Sequence, residues 1–169
     1  MKLAVMQPYF LPYIGYFQLI YASDVFVFYD DVNFIKQGWV NKNKILSNGK
    51  ELAITVPCKK VSSFKQINEV EHLLNAKAKT KMLRSIQQSY SKAPYVKEVL
   101  PLVEEGLNAE GITISDVCIN LIQAISKYLN FKTEFQISSV QYADNKGLER
   151  ADRLIAVSYT HLTLPTKPS

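Results

Sequence analysis

Two short apolar runs flank a proline-bracketed aromatic turn at the start of the chain, and this layout constrains the fold more than any other feature. The run from Lys2 to Gln7 breaks at Pro8, and Tyr9, Phe10, Leu11 and Pro12 follow before a helical pattern begins at Tyr13. A second run, Val25 to Tyr29, ends abruptly in Asp30 and Asp31. The order is strand, loop, helix, strand, with charge at the carboxyl end of the second strand. In an open parallel sheet, ligands bind at that end. Pro8 and Pro12 fix their own φ and bias the residues before them toward extended conformations, so the aromatic connection is expected to be rigid.

The chain has 169 residues, enough to bury a core without staples. No apolar stretch approaches the roughly 20 residues needed to span a bilayer. Cys58 and Cys118 stand sixty positions apart without a CxxC, so neither a disulfide framework nor a structural zinc is expected, and a reduced cytoplasm fits. The net charge of +5 gathers in 36–50, at Lys59 and Lys60, and in 77–84. Such an excess suits phosphate-bearing small molecules. No recognisable nucleic-acid-reading module accompanies it, so nucleic acid is not an expected partner. Lys77, Lys79 and Lys81 carry no interleaved aromatics and read as a solvated helix face.

Further along, Asn48-Gly49 separates two strand-like runs, the strongest short-range hairpin signal. Residues 75–91 read as a helix with Met82, Ile86 and Tyr90 on one stripe, and 94–107 as a second helix interrupted near Pro101. A third opens at Ser115-Asp116-Val117, with Val117, Leu121 and Ile125 on one face and Ile122 widening it. Residues 131–137 form a short strand, and 147–157 a last helix. That helical pattern stops without a cap, and the text from Ser158 to Ser169 resembles translated adapter sequence. The expected organisation is one α/β domain over 1–157, incomplete at its C-terminus. Residues 158–169 are then a non-native tail without stable structure, in which His161 has no functional weight, and 148–157 should expose an apolar stripe.

The polar candidates cluster early. One of Asp30 and Asp31 could bind a metal or the hydroxyls of a ribose or sugar, or the pair could lie in a solvated turn. At Trp39, Asn41 and Asn43, with Lys36 just before, a stacking face stands beside amide groups and a phosphate-seeking cation. A buried structural Trp39 is the competing reading. His72 has no second ligand at metal spacing, so no protein-held metal is expected. Ser138 and Ser139 could cap a helix or contact phosphate, and no Ser/His/Asp set is credible.

The stretch from Met6 to Ile20, which reads MQPYFLPYIGYFQLI, resembles the opening signature of the WbqC-like family of bacteria. The likeness continues through Asp30-Asp31-Val32-Asn33-Phe34, Gly38 to Asn43, Thr55-Val56-Pro57, Ser138-Ser139 and Arg150 to Ile155. It implies a place in surface-polysaccharide (O-antigen) biosynthesis, with other enzymes of that synthesis as partners. A more distant layout resemblance is to nucleotidyltransferases of the HIGH type, which implies a Rossmannoid N-terminal half. There two histidines bind a nucleoside triphosphate; the matching positions here are Tyr13-Ile14-Gly15-Tyr16. Tyrosine can donate to a phosphoryl oxygen but carries no positive charge near neutral pH. Gly15 would let a ligand approach the backbone, and the helix N-terminus offers unpaired N–H groups. Alternatively, Tyr13 and Tyr16 simply pack at i and i+3.

The expectation is an α/β fold with a short, mostly parallel sheet and flanking helices. The expected function is a cytoplasmic transferase moving a nucleotidyl, acyl or glycosyl group on an activated sugar or similar phosphate-containing metabolite. A nucleotide with magnesium is the cofactor that the layout would accommodate. Asp30, Asp31 and Lys36 are the candidate catalytic residues. Gln7, Tyr9, Tyr13, Gly15, Tyr16, Trp39, Asn41 and Asn43 are the candidate binding residues, and Gln7, Gly15, Asp30 and Asn41 should converge on one cleft. The rival reading is a non-catalytic nucleotide- or sugar-binding accessory of a glycosyltransferase complex.

Overall fold

The computed structural model describes residues 1–145. The last helix expected over 147–157 and the tail from 158 therefore lie outside the described residues.

A three-stranded parallel sheet joins two N-terminal strands to one from late in the chain, in the order β1 (Leu3–Met6), β2 (Val25–Phe28), β5 (Glu134–Ile137). The fold is thus α/β with a short, mostly parallel sheet. All four residues of β2 are buried, as a central parallel strand covered on both faces requires. Alternation sends Phe26 and Phe28 to one face, where they meet Tyr16, Phe17 and Ile20 of α1 (Ile14–Ala22). Val25 and Val27 point the other way, against Leu3, Val5 and Tyr142.

The second core lies between a hairpin and three helices. The hairpin pairs β3 (Lys42–Ser47) with β4 (Lys50–Thr55), and its turn residues Asn48 (φ 51°) and Gly49 (φ 75°) both take the left-handed conformation expected of Asn-Gly. Against it pack α2 (Ala76–Ser89), α3 (Val96–Asn108) and α4 (Ile114–Tyr128), with Met82 and Ile86 facing the core as their spacing predicts. Helix α3 is not interrupted at Pro101. The proline sits on an exposed face, so the carbonyl it leaves unpaired one turn back is open to water. Helix α4 starts with a reciprocal Thr113–Asp116 capping box. Its apolar stripe serves two cores: Val117 and Leu121 face the helical core, while Ile119, Ile122 and Ile125 face the sheet. Gly106 lets α3 approach closely there, since a Cβ at that position would lie 3.0 Å from the Leu121 Cα. The short α5 (Ser138–Gln141) follows β5 directly.

Candidate functional site

A cleft of about 660 Å³ opens at the carboxyl ends of β1 and β2, where an open parallel sheet places its ligands. Its polar lining comes from Gln7, Tyr9, Tyr29, Asn33, Lys36 and Ser63, set among apolar side chains such as Met6 and Ile35. Lys36 is the one charged residue among those lining it. Of the candidate residues, Gln7, Tyr9 and Lys36 line it together. Tyr29, Asn33 and Ser63 were not singled out from sequence. Asn33 follows the two aspartates, and Ser63 lies between lysines at positions 60 and 65, signals too common to select them.

The aromatic loop delivers Gln7 and Tyr9. Phe10 is fully buried, and its N–H donates to the Trp39 carbonyl at 3.1 Å. The Asn43 amide donates to the Phe10 and Leu11 carbonyls at 3.1 and 2.6 Å, holding Leu11 at φ 44°, a left-handed conformation that costs a leucine about 1–2 kcal/mol. The Tyr9 hydroxyl donates to Gln7 Oε1 at 3.3 Å, and the Tyr16 hydroxyl to the Gln7 carbonyl at 2.9 Å. Gln7 Oε1 is occupied in this way, while no bond from its Nε2 is found among the described residues. Burial pushes the Tyr16 hydroxyl far above its ordinary pKa, and burial followed by the neighbouring Tyr13 raises that of Tyr9. Both phenols stay neutral donors.

Other candidate residues have different surroundings. Tyr16 is a core residue, its ring 5.3 Å from that of Phe26. Tyr13 is 67% exposed, and its ring lies over Gly15: a Cβ there would come within 2.4 Å of Tyr13 Cε2. The space beside Gly15 therefore holds a side chain that must swing aside before any ligand could enter. The Asn41 amide donates to the Val56 carbonyl at 3.0 Å, and Trp39, 49% exposed, contributes its carbonyl to the aromatic loop. Gly15, Asp30 and Asn41 are not among the residues lining the cleft with Gln7.

Asp30 and Asp31 are each 3% exposed, which excludes a solvated turn. They meet the start of α5, reached through β5. Ser138 Oγ lies 3.0 Å from Asp30 Oδ1 and 2.5 Å from Asp31 Oδ1, and it also accepts the Asp30 N–H at 3.2 Å. Ser139 donates its N–H to Asp30 Oδ1 at 3.0 Å, and its hydroxyl lies 2.7 Å from Oδ2. Burial raises the Asp30 pKa, the serine hydrogen bonds oppose that rise, and Asp31 adds to it. One hydroxyl proton on Ser138 cannot serve both carboxylates.

This arrangement does not fit a resident magnesium. The carboxylates are turned to serines, and among the described residues no three His, Cys, Asp or Glu side chains are grouped to hold a metal ion. Burial pushes the Cys58 thiol up to about 11 and that of Cys118 well above its usual range, which disfavours the thiolate at both. His72 accepts the Leu74 N–H at Nδ1 and meets the Gly111 carbonyl at Nε2, a structural role.

The chain is thus of the α/β class, with a largely apolar cleft at the carboxyl edge of a parallel sheet. The chain belongs to the WbqC-like protein family, whose model matches residues 7–163. It is also similar to the uncharacterized protein Rv1507c of Mycobacterium tuberculosis (strain ATCC 25618 / H37Rv), with 31% identity over 148 residues. That alignment covers 86% of this chain and 64% of the relative, so the chain spans a little under two thirds of that protein's length. No solved structure matches it.

Proposed function

We propose that the chain is a cytoplasmic transferase acting on an activated sugar or similar phosphate-containing metabolite in bacterial surface-polysaccharide (O-antigen) synthesis. The observation that carries this reading is the cleft at the carboxyl ends of β1 and β2, whose one charged lining residue is Lys36. Lys36 makes no ion pair among the described residues, and no carboxylate lines the cleft with it. An anion entering there meets the ammonium group, the Gln7 and Asn33 amides and the Ser63 hydroxyl. The apolar lining suits the face of a base or sugar. The volume falls within the roughly 300–1,000 Å³ of small-molecule sites. Two free cysteines accord with a reducing compartment. Any magnesium would arrive with the nucleotide.

The burial of Asp30 and Asp31 behind Ser138 and Ser139 favours a second reading, a nucleotide- or sugar-binding accessory of a glycosyltransferase complex without chemistry of its own. Calorimetric titration of nucleoside diphosphates and nucleotide sugars tests both. We expect saturable binding by one class, weakened roughly tenfold or more in Lys36→Ala, as the loss of a charge-assisted contact implies. Chromatography of incubated mixtures then separates the two: new product supports the transferase, and binding without product supports the accessory. An absence of saturable heat across the panel would defeat both.

A further inference from the structure

Phe64 has the most exposed large apolar side chain among the described residues, at 91%. Its backbone is nevertheless held firmly. The Phe64 N–H donates to Ser62 Oγ at 3.2 Å and the Lys65 N–H to the Ser62 carbonyl at 3.3 Å, which closes a tight turn. Directly after it, the Phe34 N–H donates to the Lys65 carbonyl at 2.8 Å, and Asn33 bridges Gln66. This second link lays the turn beside the segment carrying Ile35, which is 52% exposed, and the exposed Lys36. Both tips reach the cleft, since Ser63, Ile35 and Lys36 all line it. Two exposed apolar side chains therefore stand on neighbouring, anchored loops beside the cleft.

Their surroundings are basic. Lys59 pairs with Glu71 at 3.0 Å, and the Glu71 carboxyl is held below its usual range first by that hydrogen bond and the Lys59 charge, then by Lys65 and Lys60. Those three lysines thus act on one glutamate, of which Lys59 alone pairs with it, and Lys36 stands on the neighbouring loop. Lys36, Lys60 and Lys65 have no ion-pair partner among the described residues. Lysine stems can lie along apolar surface while their heads reach anionic groups. Apolar tips backed by unpaired ammonium groups complement an interface where a hydrocarbon boundary lies just beneath a layer of phosphates. A single-stranded nucleic acid would use one stacking ring and the lysines but leave Ile35 exposed. No described helix is long and apolar enough to cross a membrane, so the contact would be peripheral.

We infer that the loop tips at 35–36 and 60–65 are a docking surface for an anionic lipid bilayer. Phe64 and Ile35 enter the headgroup boundary, and Lys60 and Lys65 lie against lipid phosphates, while Lys36 stays with the cleft. Docked this way, the cleft opens at the membrane surface, where it can meet a substrate or product carried on lipid. The surface does not depend on which ligand the cleft binds, so the two readings fail separately.

Co-sedimentation of the full chain with phosphatidylcholine vesicles, with and without about 30 mol% phosphatidylglycerol, tests it. We expect partition onto the anionic vesicles only, reversed by high salt. Phe64→Ser should weaken it roughly tenfold, and Lys60→Gln and Lys65→Gln about fivefold each. Phe64 and Lys60 are exposed and the Lys65 side chain belongs to neither core, so far-UV circular dichroism and the melting curve should match the parent. Equal binding to neutral vesicles, no binding to either, or unchanged binding by Phe64→Ser would each overturn the inference. So would failure to bind vesicles combined with Phe64-dependent retention of single-stranded RNA.

Discussion

Replacing Asp30 with asparagine should stabilise the fold near neutral pH, although it removes a carboxylate that lies against two serines. The geometry accepts the amide without rearrangement. Asparagine Oδ1 can keep accepting the Ser139 N–H, as Asp30 Oδ1 does at 3.0 Å, while giving up its claim on the Ser138 hydroxyl. Its Nδ2 can donate to Ser139 Oγ, which lies 2.7 Å from the present Oδ2. The Ser138 proton is then released to Asp31, whose Oδ1 is 2.5 Å away. What disappears is a charge in a site only 3% exposed and its repulsion with Asp31. Weakening the charge-assisted bonds costs about 1 kcal/mol, and the relieved burial and repulsion outweigh it, leaving a gain of about 1 kcal/mol. Asp30→Ala behaves oppositely: the Ser139 N–H and the serine hydroxyls lose their acceptor, and a void remains, at a cost of about 2–4 kcal/mol.

The pH dependence fixes the sign. The Asp30 pKa is raised in the fold, so its favourable contribution is complete below the unfolded value of about 3.9 and is lost as pH rises through the folded value. Asp30→Asn lacks that decline. Its advantage over the parent should therefore open above about pH 4, at up to about 1.4 kcal/mol per pH unit, and level off beyond the folded pKa. Urea denaturation at steps from pH 4 to 8 measures it. A loss in Asp30→Asn at pH 7 as large as that in Asp30→Ala would show that the fold needs the charge itself, and the reasoning would be wrong.

Two further substitutions test how the cleft is assembled. Asn43→Ala should cost about 1–2 kcal/mol in urea denaturation and speed hydrogen exchange at the Phe10 N–H, because Leu11 then keeps its left-handed backbone without the amide that holds it. Gly15→Ala should change stability by less than about 1 kcal/mol, since the atom it meets belongs to the exposed Tyr13 ring and alanine favours the helix. If Gly15→Ala nonetheless abolished nucleotide binding in the calorimeter, the ligand would have to lie at α1 rather than in the cleft beside Lys36.

How much of this was legible in the sequence follows from how far apart the partners lie. The strands around loop 8–12 and the Asn48-Gly49 hairpin carry their reasons within a few residues, and they fold as read. Helix α4 shows the limit of periodicity: its spacing reveals an apolar stripe but not that the stripe is shared between two cores. The surroundings of the acidic pair were less legible still. Asp30 and Ser138 are separated by 108 positions, and only the pairing of β2 with β5 places Ser138 and Ser139 against the aspartates. Acidic residues after a strand look alike whether they face water or serines. Phe64 is invisible for the same reason, since an aromatic among lysines reads equally as core or surface. Asn41 and Asn43 carry the chemistry of ligand readers, yet both amides are engaged by backbone carbonyls, because the segments they join have polar groups that burial would otherwise leave unpaired. In this chain the asparagines build the site's frame, and that is why Asn43→Ala should loosen loop 8–12 whether or not a ligand is present.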